Sequence, residues 1–229
     1  MNKISGELRC ENVVKTYNIG RPNEFKALKG VDLEIKEGEY VSIIGPSGSG
    51  KSTLLNMISC LDSPTQGEVF IEGVPIKKLS DNEKAKLRRE KLGFIFQQFN
   101  LVRGMSCYEN VELPMRFRGM PARERKKKTE ELLELVGLLD KKVNRPTEMS
   151  GGQQQRVAIA RSLANNPKII LGDEPTGNLD TETGKMIMDM LQKLNKEEKK
   201  TLIIVTHDPR IAAKADRVIE IEDGKIKRG

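Results

Sequence analysis

The stretch Gly45-Pro46-Ser47-Gly48-Ser49-Gly50-Lys51-Ser52 leaves its surroundings little freedom in how they fold. It follows a short apolar run, Tyr40-Val41-Ser42-Ile43-Ile44, and leads into a helix-like segment, Thr53-Leu54-Leu55-Asn56-Met57-Ile58. The pattern is a glycine, any four residues, then Gly-Lys-Ser, set between a strand and a helix. Glycines let such a loop turn tightly and bring backbone N–H groups close to phosphate oxygens. The helix behind it points its positive end and its free N–H donors at the same phosphates. Lys51 can reach the terminal phosphates, and the Ser52 hydroxyl can ligand Mg2+. A bound nucleoside triphosphate is therefore expected, held by a strand–loop–helix unit.

The flanking sequence predicts the rest of the frame. Residues 7–40 form strands: Leu8, Cys10 and Val13-Val14 precede Tyr17, and Val31, Leu33 and Ile35 alternate with polar residues before the Glu37-Gly38 turn. Gly67 to Gly73 is a short strand, Asp81 to Lys91 an exposed helix capped by Ser80 or Asp81, and Leu92 to Phe96 a strand ending at Gln97-Gln98. From there to about Asn166 strand-like runs vanish, while Tyr108 to Arg118 and Ala122 to Val136 have helical character. Then come a strand at Lys168 to Leu171, a helix at Thr181 to Asn195 and a strand at Thr201 to Val205. A helical turn over Pro209 to Lys214 and a hairpin turning at Asp223-Gly224 follow. This alternation predicts an α/β fold with a largely parallel sheet, ligands at the C-terminal ends of its strands, and a helical block inserted between two strands.

Composition narrows the setting rather than the chemistry. A chain of 229 residues can bury a sizeable core. Its net charge of +7 is compatible with nucleic acid, an anionic membrane surface or a phosphate ligand, and does not choose among them. Its apolar runs fall short of the ~20 residues that cross a bilayer. Met1 to Gly20 lacks the apolar core of a signal segment, so a cytoplasmic location is expected. Cys10, Cys60 and Cys107 are far apart and odd in number, which suits a reducing compartment and offers neither a disulfide framework nor metal-ligand spacing.

Two further stretches carry chemistry. Ile169-Ile170-Leu171-Gly172-Asp173-Glu174 is an apolar strand that ends in two carboxylates. In a phosphate-loop fold such a strand lies beside the loop strand, so Asp173 can hold Mg2+ and Glu174 can face the water that attacks the γ-phosphate. Ser150-Gly151-Gly152-Gln153 has a bland explanation, a capping box in which Ser150 and Gln153 start a helix. That leaves unexplained the pair of glycines in the first turn, each disfavoured by about 1 kcal/mol in a helix interior. Glycines there expose backbone N–H groups, giving a second helix end ready for a phosphate.

Taken in order and spacing, these stretches resemble the ATP-binding subunit of an ATP-binding cassette (ABC) transporter, over essentially the whole chain. Gly45–Ser52, Met149-Ser150-Gly151-Gly152-Gln153, the acidic strand end, Gln97, Asn178-Leu179-Asp180 and His207 all match. Phe96-Gln97-Gln98-Phe99-Asn100-Leu101 and Glu174 to Asp180 are similar to the lipoprotein-releasing and macrolide-export subfamily. Met149 replaces the more usual Leu, and Gly172 a more usual apolar side chain.

The resemblance implies a P-loop ATPase with a mainly parallel core sheet, an N-terminal antiparallel β subdomain and an inserted helical subdomain. Residues 1–97 and 167–229 would form the core, and 98–166 the helical subdomain carrying Ser150–Gln153. It implies two subunits packed head to tail around Mg·ATP. Each nucleotide would touch Tyr17 and Gly45 through Thr53 of one subunit, and Ser150, Gly151, Gly152, Gln153 and Asp180 of the other. Tyr17 would stack on adenine. Gln97 would sit at the Mg2+ with Ser52 and Asp173, and near the attacking water. His207 would contact the γ-phosphate and help orient water and Glu174.

The implied partner is a separate transmembrane permease, with this chain peripheral on the cytoplasmic face of the membrane. Two other roles share the same ATPase machinery: action on nucleic acid, and a cell-division-type subunit that transmits force without transport. The chain lacks the long coiled coil, zinc-binding cysteines or second ATPase domain that accompany nucleic-acid work, so no nucleic acid is expected.

Simpler roles exist for several of these residues. Tyr17 can be an ordinary surface tyrosine, Gln97 a polar strand end with Gln98 as its rival in register, Asp180 a helix N-cap, and His207 a structural histidine. The basic run from Arg116-Phe117-Arg118 through Lys126-Lys127-Lys128 can be a solvated helix face or can meet anionic lipid.

Overall fold

The computed structural model describes residues 7–228, and these divide into two compact units, one of residues up to 88 with those from 194 onward and one of 89–193. In the first unit, β1 (Leu8–Tyr17), β2 (Phe25–Ile35), β4 (Gln66–Ile71) and β5 (Val74–Pro75) form an antiparallel sheet in the order β2-β1-β4-β5. Alternation buries Leu8 and Cys10 on β1, and Val31, Leu33 and Ile35 on β2. The Val13-Val14 pair breaks that alternation, yet both side chains are buried. A bulge explains this. Asn12 adopts φ 45, and the pairing of β1 with β2 slips between Cys10 and Val13 and again between Val13 and Val14.

Gly67 makes the bulge possible from the neighbouring strand. It lies at φ +79, and a Cβ there would stand 2.2 Å from the Asn12 carbonyl oxygen and 2.4 Å from that of Glu11. Neither backbone group can retreat without opening the sheet. Gly67→Ala should therefore cost about 3 kcal/mol, from left-handed strain plus overpacking, read as a lowered urea midpoint at unchanged slope. A midpoint equal to that of the unaltered chain would show that the bulge relaxes freely.

The parallel strands of this unit are β3 (Tyr40–Ile44), β8 (Thr201–Val205) and β9 (Arg217–Glu222). β3 pairs in parallel with both others, so the loop strand has β8 and β9 as its neighbours and not the acidic strand that the sequence reading set beside it. β10 (Lys225–Arg228) closes an antiparallel hairpin on β9. Every residue of β8 is buried, as a central parallel strand covered on both faces requires. α1 (Lys51–Ile58) leaves the end of β3 and buries Leu54, Leu55, Met57 and Ile58. α7 (Pro209–Ala212) is a single turn capped by Asp208. α2 (Asp81–Lys91), which spans the division between the units, buries no residue, and Ser80 and Glu83 exchange hydrogen bonds across its start.

In the second unit β6 (Leu92–Ile95) and β7 (Ile169–Asp173) run parallel, with Ile95 opposite Gly172. The chain between them holds helices and short 3-10 turns: α3 (Cys107–Arg118), α4 (Ala122–Leu135) and α5 (Gly151–Leu163). Ser106 and Glu109 form a capping box at α3. The buried Asn110 side chain bonds to the backbone of Val102, Met105 and Ser106, tying the preceding loop to that helix. Gly93 lets β6 approach α5, because a Cβ there would lie 2.6 Å from the Ser162 carbonyl oxygen. α6 (Thr181–Glu198) follows β7 and continues past residue 193 into the first unit.

All three cysteines are buried and unpaired. Burial pushes the Cys10 thiol up to about 12, with the Asp32 charge adding to it, and the Cys60 thiol up to about 11. Both are therefore neutral packing groups at physiological pH. Cys107 touches the sulfur of Met149 at 2.9 Å, so Met149 fills the apolar position ahead of Ser150.

Candidate nucleotide site

In the first unit two loops leave the same end of the sheet. β3 and β8 pair with Ile43 opposite Val205, and the Thr206 N–H donates to the Ile43 carbonyl at 3.1 Å. The loop 45–50 and the exposed His207 thus both follow C-terminal strand ends, where open α/β sheets bind ligands. The loop is shaped by its glycines. Gly45 lies at φ +150, where a Cβ would fall 2.1 Å from the Ile221 carbonyl oxygen. Gly50 lies at φ +107, where a Cβ would stand 2.8 Å from the Ala27 carbonyl oxygen, whereas a Cβ on Gly48, at φ +77, meets nothing within 4 Å.

The backbone at the start of α1 is prepared for an anion. Gly50 takes the N-cap position and offers no capping side chain, and the first turn holds no acidic residue. The N–H groups of Lys51, Ser52 and Thr53 belong to the turn that helix geometry leaves without intrahelical acceptors. Lys51 folds over the loop, its Nζ donating to the Gly45 carbonyl at 2.9 Å and the Pro46 carbonyl at 2.7 Å. Ser49 is buried with its Oγ lacking a hydrogen-bond partner. An uncapped helix start, a folded lysine and an orphaned hydroxyl on one short loop fit an anionic phosphate chain.

Tyr17 closes β1 half-buried, with the Lys15 ammonium 4.9 Å from its ring centroid. Lys15 is held in turn by Asp62 at 2.7 Å. Burial, the largest single influence, works to raise the Asp62 carboxyl, but the Lys15 hydrogen bond and charge, the Ser63 N–H and the Tyr17 hydroxyl together outweigh it, and the group lies below its ordinary value. The ring of Tyr17 thus packs against the Lys15–Asp62 ion pair.

The second unit gathers the other predicted groups. Asp173 is the last residue of β7. Glu174 follows at φ +47, a left-handed conformation that is uncommon outside glycine and costs of order 1–3 kcal/mol. Gln97 lies just beyond β6, exposed, with its carbonyl accepting from Asn178 Nδ2 at 2.9 Å. Gly177 shows how close the two side chains come. A Cβ there would lie 2.9 Å from Gln97 Nε2 and 3.3 Å from Glu174 Oε2. It is thus Gln97, rather than Gln98, whose amide borders the same glycine as the Glu174 carboxylate.

At α5 the structure realises the capping reading of Ser150–Gln153. The capping box forms: Ser150 Oγ accepts from the Gln153 N–H at 3.3 Å and Gln153 Oε1 from the Ser150 N–H at 3.0 Å. Helix geometry still leaves the Gly151 and Gly152 N–H groups without intrahelical acceptors. Gly152 also has a packing role, since a Cβ would sit 2.7 Å from Thr183 Cγ2 on α6. Gly151 has no such constraint, with only ordinary contacts at 3.7 Å and beyond. Asp180 does cap α6, accepting from the Thr183 N–H at 2.9 Å, and that bond together with the Thr183 hydroxyl holds its carboxyl below the usual range. Along the basic run, Arg116, Phe117, Arg118, Lys126 and Lys127 are exposed, and Lys127 lies 3.9 Å from Glu131, as on a solvated face.

The Mg2+ donors proposed from sequence are a hydroxyl, an amide oxygen and a carboxylate, on Ser52, Gln97 and Asp173. These are hard oxygen donors of the kind Mg2+ takes alongside phosphate and water. Sequence reasoning missed two residues that hold the site together, Gln155 and Arg161, both on α5. The sequence carried no signal specific to them: each is a polar residue in a helix that also holds the buried Val157, Ala158, Ile159 and Ala160.

Comparison with known families identifies the kind of chain that carries these residues. Residues 28–177 match the family model described as ABC transporter. The chain belongs to the ABC transporter family. It is an ATP-binding cassette, an ABC ATPase, with the antiparallel β subdomain and parallel strands flanked by helices that the sequence predicted. An uncharacterized ABC transporter ATP-binding protein of Methanocaldococcus jannaschii, MJ0796, is 53% identical over 225 residues, covering 96% of this chain and 95% of that protein. A solved dimeric structure of MJ0796, in a post-hydrolysis state bound to ADP and Pi, superposes with a TM-score of 0.90 at 52% identity and covers 96% of this chain and 97% of that one. The macrolide export ATP-binding/permease protein MacB of Neisseria gonorrhoeae is 48% identical over 219 residues, which are 96% of this chain and 34% of MacB. This places the cassette close to the macrolide-export subfamily. Among its described residues no helix is long and apolar enough to cross a membrane.

Proposed function

We propose that this cassette is the ATP-driven motor of a membrane transporter, working as a dimer that closes around two Mg·ATP and pushes on a separate permease. The observation that carries the reading is the pair of anion-ready helix starts, one at Gly50 in the first unit and one at Ser150 in the second. The dimer of MJ0796 with ADP and Pi supports assigning them to nucleotides shared between subunits. MacB, whose name joins an ATP-binding and a permease function, supports a permease partner, supplied here by another polypeptide and holding this chain at the cytoplasmic face of the membrane. Residues 98–166 would act as a helical subdomain within a single ABC ATPase module.

On this reading the loop Gly45–Gly50 and the first turn Lys51–Thr53 bind the triphosphate through backbone N–H groups, and Lys51 exchanges its loop carbonyls for the terminal phosphates. Tyr17 stacks on the base. Ser52, Asp173 and Gln97 would hold Mg2+, which when bound neutralises charge on the phosphates. Glu174 accepts a proton from the water that attacks the γ-phosphorus, and ADP leaves with inorganic phosphate as the second product. His207 contacts the γ-phosphate, and Ser150–Gln153 and Asp180 complete the site from the partner subunit.

Ser150→Arg tests the shared site. Bulk and positive charge at that helix start should leave nucleotide affinity of the isolated subunit within about threefold, yet lower turnover by about 100-fold or more, as removal of preorganised donors does. A fluorescent ATP analogue and a phosphate-release assay measure the two. Full turnover in Ser150→Arg would show that the Ser150 end does not serve a nucleotide.

A further inference from the structure

Helix α5 does more than present Ser150. Its Arg161 reaches the loop that carries Gln97: Nη1 donates to the Asn100 carbonyl at 2.6 Å and Nη2 to the Phe99 carbonyl at 2.8 Å. Phe99 and Asn100 are consecutive and both left-handed, at φ 57 and φ 51. Two successive left-handed residues of this kind are costly, so something must hold them. The planar guanidinium fork satisfies two adjacent carbonyls at once, which a lysine ammonium on a single stem does less well.

From the same helix the buried Gln155 donates Nε2 to the Pro175 carbonyl at 2.5 Å, one residue after Glu174. Asn178 holds the Gln97 carbonyl from the other side. The loops of Gln97 and Glu174 are thus both tied to the helix that starts at Ser150, and their side chains converge on Gly177.

We propose that Arg161 is a positioning residue for ATP hydrolysis, fixing the left-handed turn at Phe99-Asn100 so that the Gln97 amide stays beside the Glu174 carboxylate. It touches no nucleotide and acts through Gln97, and so the inference rests on Gln97 and Glu174 being the groups that handle water. Arg161→Lys keeps the positive charge and one of the two bonds. Its kcat should fall about 10- to 100-fold, as small misplacements of catalytic groups produce, with KM for ATP and the thermal midpoint nearly unchanged.

The decisive readout is the double variant. If Arg161 acts through Gln97, Arg161→Lys with Gln97→Ala has the same kcat as Gln97→Ala alone, within about twofold. Losses that multiply overturn the proposal, as does a kcat that falls only in step with lost stability. Normal turnover in Gln97→Ala by itself would instead sink the assignment of Gln97, and the role of Arg161 with it. Should Arg161→Lys fail to fold, exposed Asn178→Ala removes the other tie on Gln97 and is expected to show the same lowered kcat, unchanged midpoint and non-additivity with Gln97→Ala. Full activity in Asn178→Ala would then count against positioning through this loop.

Discussion

Glu174→Gln should retain nucleotide and lose turnover. The amide has the size and shape of the carboxylate but cannot take a proton from water, and loss of a general base typically costs about 100- to 10,000-fold. Glu174 follows β7 at φ +47. That outlier is maintained by a loop pinned at both sides, through the Gln155–Pro175 bond and the Gly177 N–H donating to the Glu174 carbonyl at 3.0 Å. Gln can occupy the same backbone conformation at similar cost, so the thermal midpoint should not move. Phosphate release at saturating ATP measures the loss, and a fluorescent ATP analogue verifies binding. Turnover near that of the unaltered chain would remove Glu174 from the role of main catalytic carboxylate.

Gly45→Ala should abolish nucleotide binding by a different route. A methyl group there would lie 2.1 Å from the Ile221 carbonyl oxygen on β9 and 2.9 Å from Ser49 Oγ, at a φ of +150 that side chains rarely adopt. The backbone of a paired strand cannot yield, so the loop must. Strain and overpacking together cost on the order of 3 kcal/mol, a drop of roughly 6–12 °C in melting temperature for a chain of this size. Gly48→Ala is the control. A Cβ at that position meets no protein atom within 4 Å. Its cost to the fold is only the left-handed conformation, about 1–2 kcal/mol. If the loop wraps phosphate closely, Gly48→Ala still weakens nucleotide binding at least about tenfold, because backbone approach to the phosphates needs a bare Cα. Undiminished affinity in Gly48→Ala would mean that this part of the loop does not cradle the ligand.

Much of the site was legible in the sequence because its chemistry is local. Gly45 to Ser52 encodes its own turn, and the strand and helix around it follow from apolar patterning over a few residues. The acidic end of β7 and the glycines after Ser150 are likewise short-range signals. What could not be read was long-range. The bulge at Asn12 depends on Gly67, and the need for Gly152 on Thr183. Helix caps and phosphate sites use the same residue types, so Ser150 and Asp180 were ambiguous as sequence and do cap their helices in the structure. Arg161 and Gln155 looked like ordinary polar members of an amphipathic helix. Their importance appears only when their partners, Phe99, Asn100 and Pro175, are brought to them by the fold.

The central claim is that nucleotide joins two copies of this chain, and sedimentation of Glu174→Gln tests it most directly. Without nucleotide the variant should sediment as a monomer of 25.7 kDa. With saturating Mg·ATP, which it binds and cannot hydrolyse, it should shift to a dimer of twice that mass, and the shift should vanish when Ser150→Arg is added. A Glu174→Gln protein that binds ATP fully and still sediments as a monomer would contradict the shared site.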